Sequence, residues 1–306
     1  MFEERKINPE LLKQYREQGY WKNETLLDCW ERAAAQYPDR EYVVDDRGYR
    51  YTYRELDEAA GRVASYLMEL GIRPGEVVSY QFPIWSEFAM LTIACYKVGA
   101  VAHPIAMSYE EKELARSLNV TESRCYFGPT YFYKTDYEER ILAVRDQTPL
   151  LKDIVLIDSV KPAKSSVRLL REILASYEPL PKEQCVHTKN GQDIAVILCT
   201  SGTTGGTKGV LLSHDNVRFA EEAFNRELGL TKEDIMFMPA PLHHATGFHH
   251  AIIAPMLYGG KVVLQQKYQC RAAIDLMNRE KVTYSMGATP FIYDILRELD
   301  ANGGGL

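Results

Sequence analysis

Cys199–Gly209 reads CTSGTTGGTKG and stands between the apolar run Ile194–Leu198 (IAVIL) and the apolar start Val210–Leu212 (VLL). Four of the eleven residues are Gly, five are Ser or Thr, and one is Lys208. Glycine lacks a Cβ, so successive backbone N–H groups can turn toward one anion. Hydroxyls add donors and the lysine adds a point charge. Each charge-assisted bond contributes roughly 1.5–3 kcal/mol. The mixture suits a backbone wrapped around a phosphate chain. It is not a Walker loop, which needs Gly, four residues, then Gly-Lys-Ser/Thr. Counting from Gly202, Thr207 occupies the second Gly position and Gly209 follows Lys208 where a hydroxyl should stand. A Gly/Thr-rich hairpin that holds no ligand is the plain structural alternative.

Outward from this stretch, strands and helices alternate. Upstream come an amphipathic helix Arg54–Leu70, strand-like Glu76–Phe82, an apolar helix Ser86–Val98, strand Ala100–Ile105, helix Tyr109–Leu118, strand Cys125–Gly128, helix Asp136–Asp146 and strand Ile154–Asp158. Downstream come a helix from Ser213-His214-Asp215-Asn216 to about Leu228, strand Ile235–Ala240, and helix Phe248–Leu257 with Pro255 as a kink or early end. Strand Lys261–Gln265, helix Arg271–Glu280, strand Val282–Met286 and helix Pro290–Leu299 complete the order. This βαβα order predicts an α/β fold with parallel sheets flanked by helices. Asn8–Tyr37 reads as mostly helical, and Tyr42–Tyr53 as a hairpin turning at Asp46-Arg47-Gly48. Val160–Lys189 is more polar and reads as an excursion with one helix near Leu169–Ser176. The expected division is one α/β subdomain over residues 1–190, with the N-terminal helices, and a second over 191–306 carrying the glycine loop.

The chain has 306 residues, enough for a large core or two subdomains. A net charge of −6 offers no basic surplus for nucleic acid. The six cysteines form no C-x-x-C pair and several lie in apolar runs, so they read as buried reduced thiols. The N-terminus MFEERKINPELLKQ has no apolar signal core. The longest largely apolar run, Phe88–Ala102, contains Lys97 and falls short of the roughly 18 residues a membrane span needs. The expectation is a cytoplasmic protein without a membrane span.

TSGTTGGTKGV followed by LSH resembles the phosphate-binding signature of the adenylate-forming enzymes, which include acyl-CoA synthetases, aryl-acid ligases and peptide-synthetase adenylation domains. The usual Pro before the Lys is replaced by Thr207. Other stretches agree. Tyr51-Thr52-Tyr53-Arg54-Glu55-Leu56 is similar to the family's L-x-Y-x-E-L. Tyr96-Lys97-Val98-Gly99-Ala100-Val101 resembles its helix-to-strand joint, and Pro241-Leu242-His243-His244-Ala245-Thr246-Gly247 its P-L-F-H-x-x-G. The resemblance runs from about Trp30 to the end. It implies the N-terminal portion of an AMP-forming carboxylic acid–CoA ligase, made of two stacked α/β subdomains and stopping before the C-terminal domain.

Such ligases use ATP, Mg2+ and coenzyme A: a carboxylate is joined to AMP, and the acyl group then passes to a thiol. In the resemblance Thr200, Ser201, Gly202, Thr203, Thr204, Gly205 and Lys208 surround the ATP phosphates, with Thr200 also touching magnesium. Lys208 and His244 are the expected catalytic residues. His244, Gly247, Phe248, Tyr284 and Met286 are expected around the acyl group. A metal cluster or a plain polar face of His243, His244, His249 and His250 is the competing reading there. Ser213 and His214 read as strand-end and helix-cap residues. The family's later groups have no counterpart here: the ribose-binding Asp, the Glu of a Y-G-x-T-E-like motif, and the Lys of a mobile C-terminal domain. The resemblance therefore implies weak ATP binding and little adenylation by these residues alone. A separate C-terminal half is one expected partner, and a homodimer is an open assembly. The alternatives kept are a non-catalytic nucleotide- or acyl-binding module, one half of a split enzyme, and a different ATP-dependent enzyme such as a kinase.

Overall fold

The computed structural model describes residues 8–158, 160–188, 190–200 and 208–301, Thr200 through its backbone alone. The described strands, in chain order, begin with β1 (Glu41–Asp45), β2 (Arg50–Thr52), β3 (Val77–Tyr80), β4 (Val101–Pro104) and β5 (Cys125–Pro129). They continue with β6 (Tyr131–Phe132), β7 (Thr135–Asp136), β8 (Asp153–Ile157), β9 (Arg168–Leu169) and β10 (Ile194–Thr200). The last four are β11 (Lys208–Ser213), β12 (Ile235–Met238), β13 (Lys261–Leu264) and β14 (Tyr284–Ser285).

The chain forms two compact units: residues 1–29, 58–82 and 91–219 make the first, and residues 30–57, 83–90 and 220–306 the second. The first holds a seven-stranded sheet in the order β11-β10-β4-β3-β5-β8-β9, and a small β6-β7 hairpin. Its neighbours run parallel except β10 and β11, which are antiparallel. The central strands β3, β4 and β5 are buried along their whole length. That explains their near-continuous apolar sequence, as expected where both faces of a parallel sheet are covered. Helix Glu111–Val120 turns Leu114, Ala115, Ser117 and Leu118 inward, the stripe of an amphipathic helix. Leu114 and Leu118 join a core with Ile105, Tyr126, Ile141 and Leu156.

The second unit holds the sheet β14-β12-β13-β1-β2, antiparallel only between β1 and β2. Helix Cys270–Glu280 packs Ala273, Ile274 and Met277 against Phe237 of β12 and Val263 of β13. Trp30 stacks on Tyr53 at 5.3 Å, and Tyr42 lies 5.0 Å from Tyr53. The Tyr53 hydroxyl donates to the Gly260 carbonyl at 2.9 Å, so this buried ring is also satisfied as a polar group.

The parallel sheets with flanking helices match the expected α/β class. The subdivision differs from one cut at residue 190. β1 does not pair with the next long strand, β3; it pairs with β13, Val43 opposite Val262, more than two hundred positions along the chain. The units are therefore interleaved, and the strands around the glycine loop belong to the first, because β10 pairs with β4 at Val196 and Ala102. The sequence reading also passed over β9 and the β6-β7 hairpin, and its strand Val282–Met286 is only Tyr284–Ser285. Around Pro255 the chain is π-helical over Phe248–Ile253 and α-helical over Ala254–Tyr258. Proline has no N–H to give to the preceding turn, so a change of helical register there leaves fewer carbonyls unmatched.

Candidate active site

The glycine loop follows the carboxyl end of β10, where ligands gather in open α/β sheets. β10 and β11 stay in antiparallel register up to the last pair, Thr200 opposite Lys208. Residues 201–207, which include Ser201, Gly202, Thr203, Thr204 and Gly205, lie outside the described residues, as does the Thr200 side chain. Lys208 is exposed at the start of β11. The hairpin thus brings the backbone of Thr200 and a cation to the two ends of a segment rich in Gly and hydroxyls. That arrangement fits a phosphate chain.

Beneath this hairpin lies a buried polar chain that the sequence reading did not single out. His103 of β4 is fully buried. Its Nδ1 is 2.7 Å from the Ser79 hydroxyl, and its Nε2 is 3.3 Å from the Ser117 hydroxyl and 3.5 Å from the Cys199 Sγ. Ser79 continues to Ser123, and Ser123 to Thr121 at 2.9 Å. Burial pushes His103 down to about 3, so its ring is neutral at physiological pH. Burial raises the Cys199 thiol, against hydrogen bonds from Tyr109 and Ser117 that lower it. The residue just before Thr200 is thereby held in a network of uncharged groups. The sequence signal was a histidine and a proline inside an apolar strand, Val101-Ala102-His103-Pro104-Ile105.

The second unit carries the other expected residues, on loops that leave neighbouring parallel strands at their carboxyl ends. β12 leads to Pro239–His244, and β14, beside it, leads to Met286 and Gly287. A Cβ on Gly287 would stand 3.0 Å from the Pro239 ring, so the two segments are in contact. His244 is exposed and precedes the short helix Ala245–Gly247, its carbonyl accepting from the Phe248 N–H at 2.9 Å. Burial, helped by neighbouring His244, pulls His243 down to about 4. Gly247 fits because a Cβ there would meet the Pro241 carbonyl oxygen at 2.3 Å. Phe248 is fully buried, with its ring 6.4 Å from that of Phe88. Tyr284 and Met286 are half-buried. Burial pushes Tyr284 up to about 12, and its hydroxyl is 2.7 Å from that of Tyr258.

His249 and His250 take a different role from a metal cluster. Nδ1 of His249 is 3.1 Å from one oxygen of Glu221, and Nδ1 of His250 is 3.0 Å from the other. Glu221 is 2% exposed. Burial raises its carboxyl, but the bonds from both imidazoles outweigh that and hold it below the usual carboxylate value. A carboxylate only accepts, so both rings donate from Nδ1. The Phe224 ring lies 4.3 Å from His250. Among the described residues no group of three or more His, Cys, Asp or Glu could hold a metal ion. No described helix is long and apolar enough to cross a membrane.

Comparison with known proteins agrees with these features. Residues 30–304 match the family described as AMP-binding enzyme. The chain is 40% identical over 286 residues to the medium-chain fatty-acid–CoA ligase of Escherichia coli (strain K12), covering 94% of this chain and 50% of that protein. It is 27% identical to the 2,3-dihydroxybenzoate-AMP ligase of Bacillus subtilis (strain 168), covering 92% and 50%. The chain therefore spans about half the length of the curated relatives it matches. Among solved structures, apo MbtA of Mycobacterium smegmatis shares the fold with a TM-score of 0.81 at 24% identity, over 91% of this chain and 51% of that one. The N-terminal domain of FACL13 from Mycobacterium tuberculosis does so at 0.78 and 23%, over 89% and 65%. With a glycine loop at the carboxyl end of a parallel strand and a family match over nearly its whole length, this chain belongs to the AMP-binding enzyme family.

Proposed function

We propose that these residues are the ATP-phosphate- and acyl-binding part of an AMP-forming carboxylic acid–CoA ligase. The observation that carries the reading is the β10–β11 hairpin, which sets Lys208 across from Thr200 at the mouth of a Gly- and hydroxyl-rich segment. ATP supplies an activated α-phosphate, which the acid's carboxylate attacks with release of pyrophosphate. Both reactants are anions, so the chain's task is to neutralise and align them. Lys208 and the backbone donors of residues 200–205 hold the β- and γ-phosphates. Thr200 would be the residue to meet the accompanying Mg2+, which would neutralise phosphate charge. His244, exposed at a loop tip, orients the carboxylate, and Gly247 keeps the Pro241–His244 turn close beneath it. Tyr284 and Met286 wall the acyl group over the buried Phe248. The acceptor thiol is coenzyme A. The ribose- and hinge-side groups come from a C-terminal segment, as part of one polypeptide or as a separate partner.

The acid is a medium-chain fatty acid. Similarity to the Escherichia coli ligase, at 40% over most of this chain, supports that class over an aryl acid, whose ligase is 27% identical. The test is calorimetric titration of the 306-residue chain with MgATP. Weak saturable binding is expected, reduced roughly tenfold or more in Lys208→Ala by loss of a charge-assisted bond. Equal affinity of the two proteins would reject the assignment of the loop. Acid preference is read by pairing the chain with a C-terminal half and comparing octanoate with 2,3-dihydroxybenzoate; activation of the aryl acid alone would reject the fatty-acid class.

A further inference from the structure

A cavity lies in the first unit, away from the glycine loop. It measures about 450 Å³ and is lined by Thr25, Leu27, Pro74, Tyr96, Val101, Val186, Asp193, Ile194 and His214, among others. Val101 begins β4, Ile194 begins β10, and Pro74 precedes β3, so the cavity sits at the amino ends of these strands. The loop 201–207 follows the opposite end of β10. Seven residues of strand, at about 3.3 Å each, separate the two by roughly 20 Å.

His214 is the polar feature that the ligase reading leaves unused. It is 8% exposed, and its Nδ1 accepts the Leu26 N–H at 3.1 Å. That bond fixes the tautomer, because an Nδ1 that accepts leaves the proton on Nε2. Nε2 has no hydrogen-bond partner among the described residues, while the ring edge rests on Tyr96 at 5.5 Å. The Nε2–H is thus a donor left over on a wall of the cavity. Burial pulls His214 down to about 4, so the ring presents this one N–H in its neutral form at pH 7. The carboxylate of Asp193 on the same wall repels an anion. Leu27, Pro74, Val101, Val186 and Ile194 give the wall its apolar part, and Thr25, Thr188 and Gln192 add uncharged polar groups to it.

We propose that this cavity is a binding site for a small neutral molecule with an apolar body and one carbonyl acceptor, which the Nε2–H of His214 holds. The volume lies within the range of small-molecule sites, and a few placed polar groups among apolar walls are their usual chemistry. The Asp193 carboxylate disfavours anions such as a fatty acid or a nucleotide. The site is therefore separate from the phosphate loop and stands whether or not the ligase reading does.

The experiment uses the 306-residue chain and 4-phenylbutan-2-one as a neutral carbonyl probe, followed by NMR through the imidazole nitrogens of His214 and, where His214 is replaced, through the methyl signals of Leu27 and Ile194 on the same wall. A saturable shift of Nε2 is expected, with a Kd of roughly 0.1–1 mM for a ligand this small. MgATP should leave the titration unchanged. His214→Asn keeps an acceptor for the Leu26 N–H and, being shorter than the imidazole, withdraws the N–H from the Nε2 position, and should weaken binding about three- to tenfold. Because that variant could perturb the helix start, Val186→Trp, which fills the cavity while leaving His214 in place, should abolish binding. No saturable shift at millimolar probe, competition by MgATP, or full binding by Val186→Trp would each overturn the proposal.

Discussion

Gly247→Ala sets two effects of known sign against each other. Gly247 has φ −67° and ψ −46°, an ordinary helical conformation. On propensity alone, alanine should stabilise it by about 1 kcal/mol. The added Cβ, however, would sit 2.3 Å from the Pro241 carbonyl oxygen, 2.7 Å from its carbon and 2.8 Å from the Leu242 Cα. Ordinary contact needs roughly 3.5 Å, so the turn must retreat by about 1 Å. All three atoms are backbone, and no side-chain rotation relieves them. Overpacking of this kind costs about 1–3 kcal/mol, which exceeds the propensity gain. A net loss of up to about 2 kcal/mol is expected from urea unfolding of the 306-residue chain. His244 lies between Pro241 and Gly247, so a shift of the turn should also displace it and lower acid activation in the assembled enzyme. A Gly247→Ala protein about 1 kcal/mol more stable than the parent, the propensity gain with no clash to offset it, would refute the close approach that the structure gives this glycine.

Glu221→Gln leaves one imidazole N–H facing an amide instead of a carboxylate and should cost about 2–3 kcal/mol at pH 7 by the same assay. The Glu221 carboxyl is held below its ordinary 4.5, so its contribution is complete above that pH and is lost as pH falls through the folded value. The difference between parent and variant should therefore shrink below about pH 4.5; a difference constant from pH 7 to pH 3 would contradict the two imidazole bonds. Tyr53→Phe removes a hydroxyl that serves the Gly260 and Pro255 carbonyls at 2.9 and 3.2 Å, and should cost about 1–2 kcal/mol. An unchanged urea midpoint would mean those carbonyls find other partners.

The central sheet strands were legible because they are largely buried and so carry mostly apolar runs, as in Val77-Val78 of β3 and Ala195–Leu198 of β10. Their pairing was not, because periodicity is local and cannot say that β1 lies against β13 rather than β3. That one pairing turns a division by chain order into two interleaved units. The glycine loop stood out by composition, and its flanking strands by hydrophobicity. Side-chain partnerships were less visible. The adjacent pair His249-His250 gave no sign that its common partner is Glu221, twenty-eight residues earlier, because only the packing of helix His214–Leu228 brings them together. His103 was hidden in the same way, since a histidine within an apolar strand does not name its contacts. Phe248, expected at the acyl group, is fully buried, a degree of burial that sequence spacing does not carry.

The central claim, that this hairpin holds ATP for the adenylation of a carboxylic acid, is tested most directly by octanoate-dependent ATP–pyrophosphate exchange. Residues 1–306 are assayed alone and with the C-terminal half of the Escherichia coli medium-chain ligase supplied. Little or no exchange is predicted from the chain alone, clear exchange with the partner, and a sharp loss when Lys208 is replaced by Ala in the assembled pair. Exchange absent from both mixtures, or unaffected by Lys208→Ala, would contradict it.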